Sequence, residues 1–307
     1  MSNVLTNLFM DKVQPGLYQQ YVIGATSAWM ENNASGVEYT GGKYVIMHEL
    51  EVDGLGAYDR SLGYPRGVIT GSKKQYELTQ DRGREFLIDA ADNDETGFLV
   101  TAASVMAQFQ RDWVIPEVDS YRYSSIYAQV LAAVAANVDN TAIAAADITD
   151  TLIGDIAAIR DRVGDIPLVI IMSGLTQKYF GTDFTRQLDY TQFGGVVNTK
   201  VRSLDGNPFL VVPSSRLKTA YDFFDGVTAG QEAGGFAAAA GAADMKWIIT
   251  PMSGPAAVGK IDKMRAFSPE EYQAANAWKV DYRLYHDIWM MPNAYNNTFI
   301  RTGAITE

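Results

Sequence analysis

The sequence has 307 residues, of which 47% are hydrophobic, so the chain is long enough for about two domains, or one elaborate domain, with a sizeable core. Its 25 Lys and Arg residues face 36 Asp and Glu residues, a formal net charge of -11, which excludes a protein that grips nucleic-acid phosphates through a basic stripe. It has no cysteine, which excludes disulfides, thiolate metal sites and cysteine nucleophiles and is compatible with a reducing compartment.

The N-terminal residues 1–39 mix polar and apolar side chains without a clean period. Residues 3–11 form a candidate short helix that Pro15 and Gly16 would end. Such an arm packs either on a neighbouring molecule or, like an ordinary terminal segment, on its own core. The start lacks a basic segment followed by an apolar run, and no run of about 18 apolar residues occurs later, so we expect a cytoplasmically made protein that does not enter a membrane.

Apolar and polar residues begin to alternate at Tyr44, which predicts a strand to Leu50, and residues 73–89 are its predicted return partner. The connection between them is long and rich in glycine, and such connections are usually functional or disordered. Tyrosine and leucine side chains at the tip of a loop gain most when a neighbouring molecule covers them, so we expect an intermolecular contact here. The predicted contact residues are Tyr58, Arg60, Leu62, Tyr64 and Arg66.

A long amphipathic helix is predicted for residues 92–114. The residues that recur at helical spacing are Phe98, Ala102, Val105, Phe109 and Trp113. Asp92 can cap the first turn, with Glu95 reaching back to it. Pro116 is expected to stop or kink the helix, unless the run from Val114 to Asp119 continues it after a bend.

The middle of the chain predicts a layered core. Residues 124–164 are alanine-rich and helical with a break near Asp139, and Thr149 or Asp150 caps the second helix, in which Leu152, Ile156, Ile159 and Val163 share one face. The apolar run at 167–174 predicts a strand covered on both sides, and it lacks the glycines and lysine of a phosphate-binding loop. Residues 196–204 and 208–212 flank a hairpin turn, and 245–251 resume as a strand.

The C-terminal region predicts a short helix and then a long strand. Ser268 caps this helix, with Pro269 in its first turn and Glu271 completing the capping pattern. Residues 278–291 alternate with period two, and residues 296–305 are the predicted final partner strand. Because no linker interrupts the chain, the smaller domain is expected to be an insertion between elements of the larger one.

No catalytic constellation is present. The two histidines, His48 and His286, are far apart in sequence, and Asp287 lies on the opposite strand face from His286, so a histidine–aspartate pair is disfavoured. The serines lack a nucleophile-elbow pattern, and the aspartates near 150 lack the spacing of a calcium loop. We therefore predict no catalytic, cofactor-binding or metal-binding residues and no enzyme activity.

Three segments carry a resemblance to a known family: DRGREFLID at 81–89, IPEVDSYRY at 115–123 and YRLYHDIW at 282–289. With the order of the predicted elements, the chain resembles the major capsid proteins of tailed bacteriophages over residues 40–300. These proteins share the α+β Hong Kong 97-type shell fold with encapsulin compartments and herpesvirus capsid floors.

The resemblance implies a division of the chain. Residues 1–39 would be an N-terminal arm, and 40–81 an extended loop that lies over a neighbouring subunit. Residues 82–140 would be a peripheral domain with a long spine helix, 141–255 an axial domain around the five-fold and six-fold vertices, and 256–307 a return to the peripheral domain.

The implied function is self-assembly, as hexamers and pentamers, into the icosahedral head shell of a double-stranded DNA phage. The acidic chain would enclose DNA without binding it specifically, and the virion capsid would assemble in the bacterial cytoplasm with a portal protein and without cofactors. Some members begin with a long helical scaffolding segment, and none precedes residue 40, which implies a separate scaffolding protein or an N-terminal truncation. The lysine–asparagine crosslink of the type member has no matching motif around Lys73 and Lys74.

Two alternatives remain open at this point. An encapsulin-like compartment would house protein cargo in the same fold. A small-molecule α+β enzyme would instead have a concave pocket with converging polar groups and a perturbed titratable residue, which a shell protein is not expected to have.

Overall fold

A computed structural model describes residues 20–21, 24–36, 38–39, 43–58, 60, 63–89, 102–180, 189–193, 199–204 and 206–306. The candidate helix at 3–11 and the predicted helix start at 92–101 lie outside these residues. Within the described part, no helix combines the length and the apolar character that a membrane crossing requires.

Strands outnumber helices in the described residues. The helices are α1 (Ala102–Phe109), α2 (Ile115–Ala133), α3 (Ile148–Val163) and α4 (Gly174–Gln177), and a π-helical segment, Gln110–Val114, joins α1 to α2. Short 3-10 segments cover Ala28–Gly36, Ala135–Asn137, Ala145–Asp147, Ser214–Arg216 and Pro292–Asn297.

Seventeen strands are found in the described residues. They are β1 (Glu38–Tyr39), β2 (Tyr44–Val52), β3 (Ile69–Glu77), β4 (Gln80–Asp89), β5 (Val138–Asp139), β6 (Ile143–Ala144), β7 (Leu168–Ser173), β8 (Asp189–Phe193), β9 (Thr199–Leu204), β10 (Asn207–Val212), β11 (Tyr221–Phe223), β12 (Phe236–Ala238), β13 (Trp247–Pro251), β14 (Pro255–Phe267), β15 (Ala277–Met290), β16 (Phe299–Arg301) and β17 (Ile305–Thr306).

Three sheets organise these strands. The hairpin sheet has the order β1-β2-β3, and the long sheet has the antiparallel order β14-β15-β4. The seven-stranded sheet has the order β5-β16-β13-β7-β10-β9-β8, with β7 and β10 parallel at its centre. Two-stranded pairs, β11-β12 and β6-β17, complete the described strands.

Pro116 does not stop the long helix. The π-helical segment immediately precedes it, and the backbone stays helical from Ala102 to Ala133, about 48 Å at 1.5 Å per residue. A proline inside a helix lacks an N–H and clashes with the carbonyl four residues back, and a π-turn is a common way to accommodate such a disruption. Of the two expectations for this position, continuation of the helix is the one confirmed.

The continuous helix packs against two sheets. Near its start, Val114 and Val118 lie with Val280 and Leu284 of the long sheet in one buried cluster. Further along, α2 joins the cluster that covers one face of the seven-stranded sheet. That cluster includes Tyr123, Ile126 and Val130 from α2, and Val169, Ile171 and Ile248 from the sheet. The helix therefore connects the two sheets through apolar burial at both ends.

The central strand β7 is buried on both faces, as its continuous apolar sequence predicts. Val169 and Ile171 contact the α2 side. The alternate residues Leu168, Ile170 and Met172 lie in a second cluster with the α3 residues Ile148, Leu152, Ile156 and Ile159. The predicted α3 face is thus confirmed, whereas the helix begins after Asp147 and not after Thr149 or Asp150. The predicted hairpin around Gly206 is confirmed by the β9–β10 pairing.

Three predicted elements differ from the structure. Residues 73–89 are not one strand, because β3 pairs with β2 and β4 pairs with β15. Between the two strands, Asp287 of β15 accepts both the backbone N–H and the hydroxyl of Thr79 at 2.8 Å. Ser268 and Glu271 make the capping bond at 3.1 Å, but only a turn forms before β15 begins. Residues 296–305 do not pair with β15, since β16 pairs with β13 and β5.

A buried carboxylate fastens the segment before the hairpin sheet to α2. Asp119, fully buried, accepts hydrogen bonds from the backbone N–H and hydroxyl groups of Thr26 and Ser27, and from Arg216 at 3.1 Å. One turn later on the same helix, buried Arg122 donates to the carbonyl of Ser27 and to Glu31 at 2.7 Å. Three distant parts of the chain therefore meet at one buried ionic group.

We predict that Asp119→Ala lowers the free energy of unfolding by about 3–5 kcal/mol, because Arg122 and Arg216 then lose their buried counter-charge. The measurement is urea denaturation of the purified subunit. Asp112→Ala is the matched control on the same helix, where the exposed carboxylate forms a surface ion pair with Arg111 next to it, and no measurable change is expected. Equal effects of the two substitutions would contradict the role given to Asp119.

Candidate assembly surface

The hairpin formed by β2 and β3 extends away from the core. The two strands pair in register from Tyr44–Glu77 to Val52–Ile69, and every residue of β3 except Tyr76 is exposed. Only the base is anchored, where Val45 and Met47 are buried and the ring of Tyr76 lies 5.3 Å from that of Trp289. The outer part of the hairpin contributes no buried side chain to the described core.

The tip between the two strands has a defined structure. Asp53 and Val68 hold the two ends of the tip together. The Asp53 carboxylate accepts a hydrogen bond from the N–H of Val68 at 2.7 Å, and the N–H of Asp53 donates to the carbonyl of Val68. Gly56 lies so close to Pro65 that a Cβ atom would approach the ring to 2.6 Å. Gly63 has φ +85°, a backbone conformation that residues with a side chain rarely adopt. These features shape the tip without burying it.

The predicted contact residues lie at this tip. Tyr58 and Tyr64 are brought together, with ring centroids 4.9 Å apart, yet Tyr64 remains 87% exposed. Arg60 and Arg66 are exposed, and Leu62 lies outside the described residues.

The apolar surface of the hairpin is larger than the sequence analysis indicated. Further exposed apolar residues are Leu50, Val52, Leu55, Val68 and Ile69. Leu55 lies between two glycines in the sequence, and a large apolar residue in a glycine-rich loop could have indicated this additional exposed apolar surface. Exposed apolar side chains concentrated on one hairpin are typical of interaction sites.

His286 and Asp287 do not form a catalytic pair. The carboxylate of Asp287 accepts hydrogen bonds from Tyr121 at 2.6 Å and from Thr79. His286 is buried, and its Nδ1 atom has no hydrogen-bond partner among the described residues. Burial lowers the pKa of His286 to about 3, with repulsion from Arg122 and Arg82 in the same direction. The ring is therefore neutral at ordinary pH.

A cavity of about 460 Å³ lies between the long sheet, the π-helical segment and the loop after β11. His286 is part of its lining, so a pocket with a perturbed titratable group exists, contrary to the expectation for a shell protein. Most of its charged groups have internal partners: Arg82 donates to Glu117 at 2.7 Å, and Asp81 pairs with Arg283. In the described residues no group of three or more His, Asp or Glu side chains is placed to hold a metal ion.

Comparisons with known proteins give matches only at the level of structure. No protein-family model matches the sequence, and no curated protein matches it. The mature capsid of bacteriophage PhiM1 superposes with a TM-score of 0.57 and 10% identity, covering 87% of this chain and 84% of that chain. The capsid structure of Staphylococcus phage Andhra gives 0.56 and 11% identity, covering 92% and 84%.

The chain has the Hong Kong 97-type shell fold. The chain of a virus-like particle from Pyrococcus furiosus superposes on this chain with a lower TM-score of 0.50 and 8% identity, covering 95% of this chain and 99% of that chain. The α+β class predicted from the sequence is confirmed. At these identities the match establishes the architecture of the subunit and leaves its activity and partners to be argued from the residues.

We predict that stability falls as the pH is lowered from 7 to 5. The unfolded His286 takes up a proton near pH 6.5, whereas the folded ring stays neutral down to about pH 3, so protonation favours the unfolded chain. The expected loss is about 2 kcal/mol between pH 7 and pH 5, measured by urea denaturation at each pH.

In His286→Gln this part of the dependence of unfolding free energy on pH should disappear, whatever the absolute stability of the variant. His48→Gln controls for the only other histidine in the chain. A slope that persists in His286→Gln and vanishes in His48→Gln would show that the burial argument is wrong.

Proposed function

We propose that this protein is the major capsid protein of a tailed double-stranded DNA bacteriophage and assembles into an icosahedral head shell. The proposal rests on one observation above all: the chain has a shell fold and a structured hairpin, and the described residues of the same chain leave the apolar tip of this hairpin exposed. A closed shell needs contacts between different surfaces of identical chains, and an extended hairpin provides one such surface.

Within this proposal, Tyr58, Arg60, Leu62, Tyr64 and Arg66 contact a neighbouring subunit. Tyrosine and arginine are enriched among the residues that dominate binding energy at interfaces. Many modest contacts of this kind, repeated around hexamers and pentamers, add up to a stable container. The protein acts by assembly and has no enzymatic step.

The wider organisation follows the same proposal. Residues 1–39 serve as the arm, 40–81 as the extended loop and 82–140 as the peripheral domain. Residues 141–255 form the axial domain, and 256–307 return to the peripheral domain. Support comes from α2, which joins the long sheet to the seven-stranded sheet as a spine between two such parts would.

The partners follow from charge and from the needs of a phage head. A net charge of -11 suits a wall that encloses DNA without gripping its phosphates. Assembly takes place in the cytoplasm of the host bacterium with a separate scaffolding protein and a portal protein, and the finished protein resides in the virion capsid.

A second candidate is a nanocompartment shell that houses a protein cargo. The structural match to the Pyrococcus furiosus virus-like particle supports it, and the shell fold alone does not separate the two.

We predict that replacing residues 53–68 by Asn-Gly yields a folded, soluble subunit that does not form particles. Val52 and Ile69 face each other in register, so a two-residue turn can join the strands, and the removed tip buries nothing in the described core. Light scattering and negative-stain microscopy of the protein, co-expressed with its neighbouring genes, provide the measurement.

Two variants sharpen this test. Tyr58→Ser with Tyr64→Ser removes only the paired rings and should also reduce particle yield, with an unchanged melting temperature because both rings are exposed. Val211→Ser is the control, an exposed apolar residue on β10 outside the hairpin. Closed shells from the shortened chain would overturn the proposed role of the hairpin.

The contents of the particles decide between the two shell functions. Phage heads isolated from infected cells should contain double-stranded DNA that nuclease digests only after the shell is opened. Particles filled with a single co-purifying protein and lacking DNA would instead establish the compartment.

A further inference from the structure

The hairpin formed by β11 and β12 contributes no buried side chain to the core. Its strands and the loop between them, residues 221–238, pair only with each other in the described sheets. All of these residues are described, and none is buried. We call this segment the strap. At its base the N–H of Met245 donates to the carbonyl of Leu217 at 3.0 Å, and both side chains are buried beside the seven-stranded sheet.

One arginine holds the far end of the strap against the rest of the molecule. Arg82 of β4 donates to the carbonyls of Phe224 and Gly235, at 2.8 and 3.2 Å, and these residues are the two ends of the strap's loop. The Nε atom of Arg82 donates to Glu117 of α2 at 2.7 Å. One partly buried guanidinium therefore joins the long sheet, the long helix and both ends of the loop.

Other contacts of the strap are made by a ring and by a glycine. The ring of Phe223 lies edge-on to that of Tyr121 in α2, with centroids 5.6 Å apart. Gly235 lies against the indole of Trp113 in the π-helical segment, where a Cβ atom would come within 2.6 Å. Neither strap residue is buried, and hydrogen bonds from a charged donor are stronger than neutral ones, so we infer that Arg82 is the main attachment.

The strap covers buried side chains of the long helix and the long sheet. Phe224 and Gly235 line the cavity beside the π-helical segment, and so do Val118 of α2 and Leu284 of β15. Val118 and Leu284 are buried when the strap is in place. Movement of the strap away from the helix exposes apolar surface, so opening has a cost that adds to the loss of the Arg82 hydrogen bonds.

The strap links two parts of the fold. It lies in the chain between β10 and β13 of the seven-stranded sheet, whereas Arg82 and Trp113 belong to the long sheet and the long helix. The helix joins the same two sheets through buried apolar side chains at both ends. The strap is therefore a second link between them, and it can be released without exposing any buried side chain of its own.

We propose that the strap opens and closes as a unit about its base, with Arg82 as the latch that holds it closed. The closed strap fixes the long sheet and the helix to the part of the chain that carries the seven-stranded sheet. In the open state water hydrates the guanidinium and the two carbonyls, which offsets part of the lost hydrogen bonding. Elements with so little burial open at lower free energy than the core does. This inference goes beyond the proposed shell function and does not depend on it.

The chain has no cysteine, so a single introduced thiol can report the opening. Val118→Cys places a thiol under the closed strap. Val130→Cys is the matched control, an equally buried valine further along the same helix in the cluster beside the seven-stranded sheet. In the purified full chain a maleimide should react with the first thiol at least about tenfold faster, because strap opening exposes it and only global unfolding exposes the second.

Substitutions on β4 test the latch. Arg82→Gln removes the charged donor to both carbonyls and should raise the labelling rate of the Val118→Cys thiol about tenfold relative to that of Val130→Cys, a ratio that corrects for any general loss of stability. Arg84→Gln is the matched control on the same strand. Arg84 makes long hydrogen bonds, 3.4 and 3.5 Å, to the carbonyl of Glu232, so the ratio should change less than about threefold.

Glycine substitutions test the closed contact without changing Arg82. Gly235→Ala forces a Cβ atom against Trp113 and should also raise the labelling ratio. Gly230→Ala is its control in the same loop. The two glycines have φ +85° and +86°, so the backbone strain is the same, but a Cβ atom at Gly230 has nothing within 4 Å. The labelling ratio should therefore stay close to that of the unsubstituted glycine.

Hydrogen exchange of the wild-type chain gives a readout that needs no substitution. The N–H of Phe224, which donates to the carbonyl of Gly235 at 2.9 Å, and the other strap amides should exchange faster than the amides of β7 and β13. The proposal fails if strap and central strands are equally protected, or if the thiols of Val118→Cys and Val130→Cys react at one rate. It also fails if Arg82→Gln leaves the labelling ratio unchanged, or if Gly235→Ala and Gly230→Ala act alike.

Discussion

The fold depends on a carboxylate that is completely removed from water. Asp119 sits in the middle of the long helix and is satisfied by donors from residues 26–27 and from Arg216. An isolated charge in this place would be strongly unfavourable, so its donors must all be in position together. This requirement ties the N-terminal part, the helix and the segment after β10 into one arrangement, on which the apolar clusters then close.

A body fastened in this way can carry an extension that has no packing of its own. The hairpin is anchored only at its base by Val45, Met47 and Leu78, while its tip keeps a shape through Asp53 and two glycines. Ordering such a tip costs conformational entropy that its own chain does not recover through burial. Contacts with other molecules would return this free energy, so exposed tyrosines at a shaped tip fit the proposed assembly better than a free loop would.

Local chemistry was enough to predict much of the fold. The all-apolar run of β7, the β9–β10 turn and the buried face of α3 follow from period and turn residues. The strand β14 was missed because its alternation is broken by a register shift between Gly259 and Ile261. The break between β3 and β4 was missed because β4 pairs with β15, about 200 residues further along, whereas β3 pairs with β2.

The sites show the same division between local and distant information. The exposed position of Tyr58 and Tyr64 at the tip was predictable from composition and loop position, since exposure at a tip is a local property. The cavity joins Arg84, Trp113, Gly235 and His286, which no local pattern connects. The residue in the sequence that depends most directly on this packing is Gly235, where a Cβ atom would come within 2.6 Å of Trp113. A glycine in a sequence does not by itself identify the residue it packs against.

The outer edge of β3 has a consequence for solubility. In the described sheets this strand pairs with β2 only, so one row of backbone groups is open to strands from other molecules, a route to fibres. Lys73 and Lys74 occupy the middle of the strand, where positive charge opposes such stacking. The two lysines therefore disfavour edge-to-edge pairing between the β3 strands of different chains.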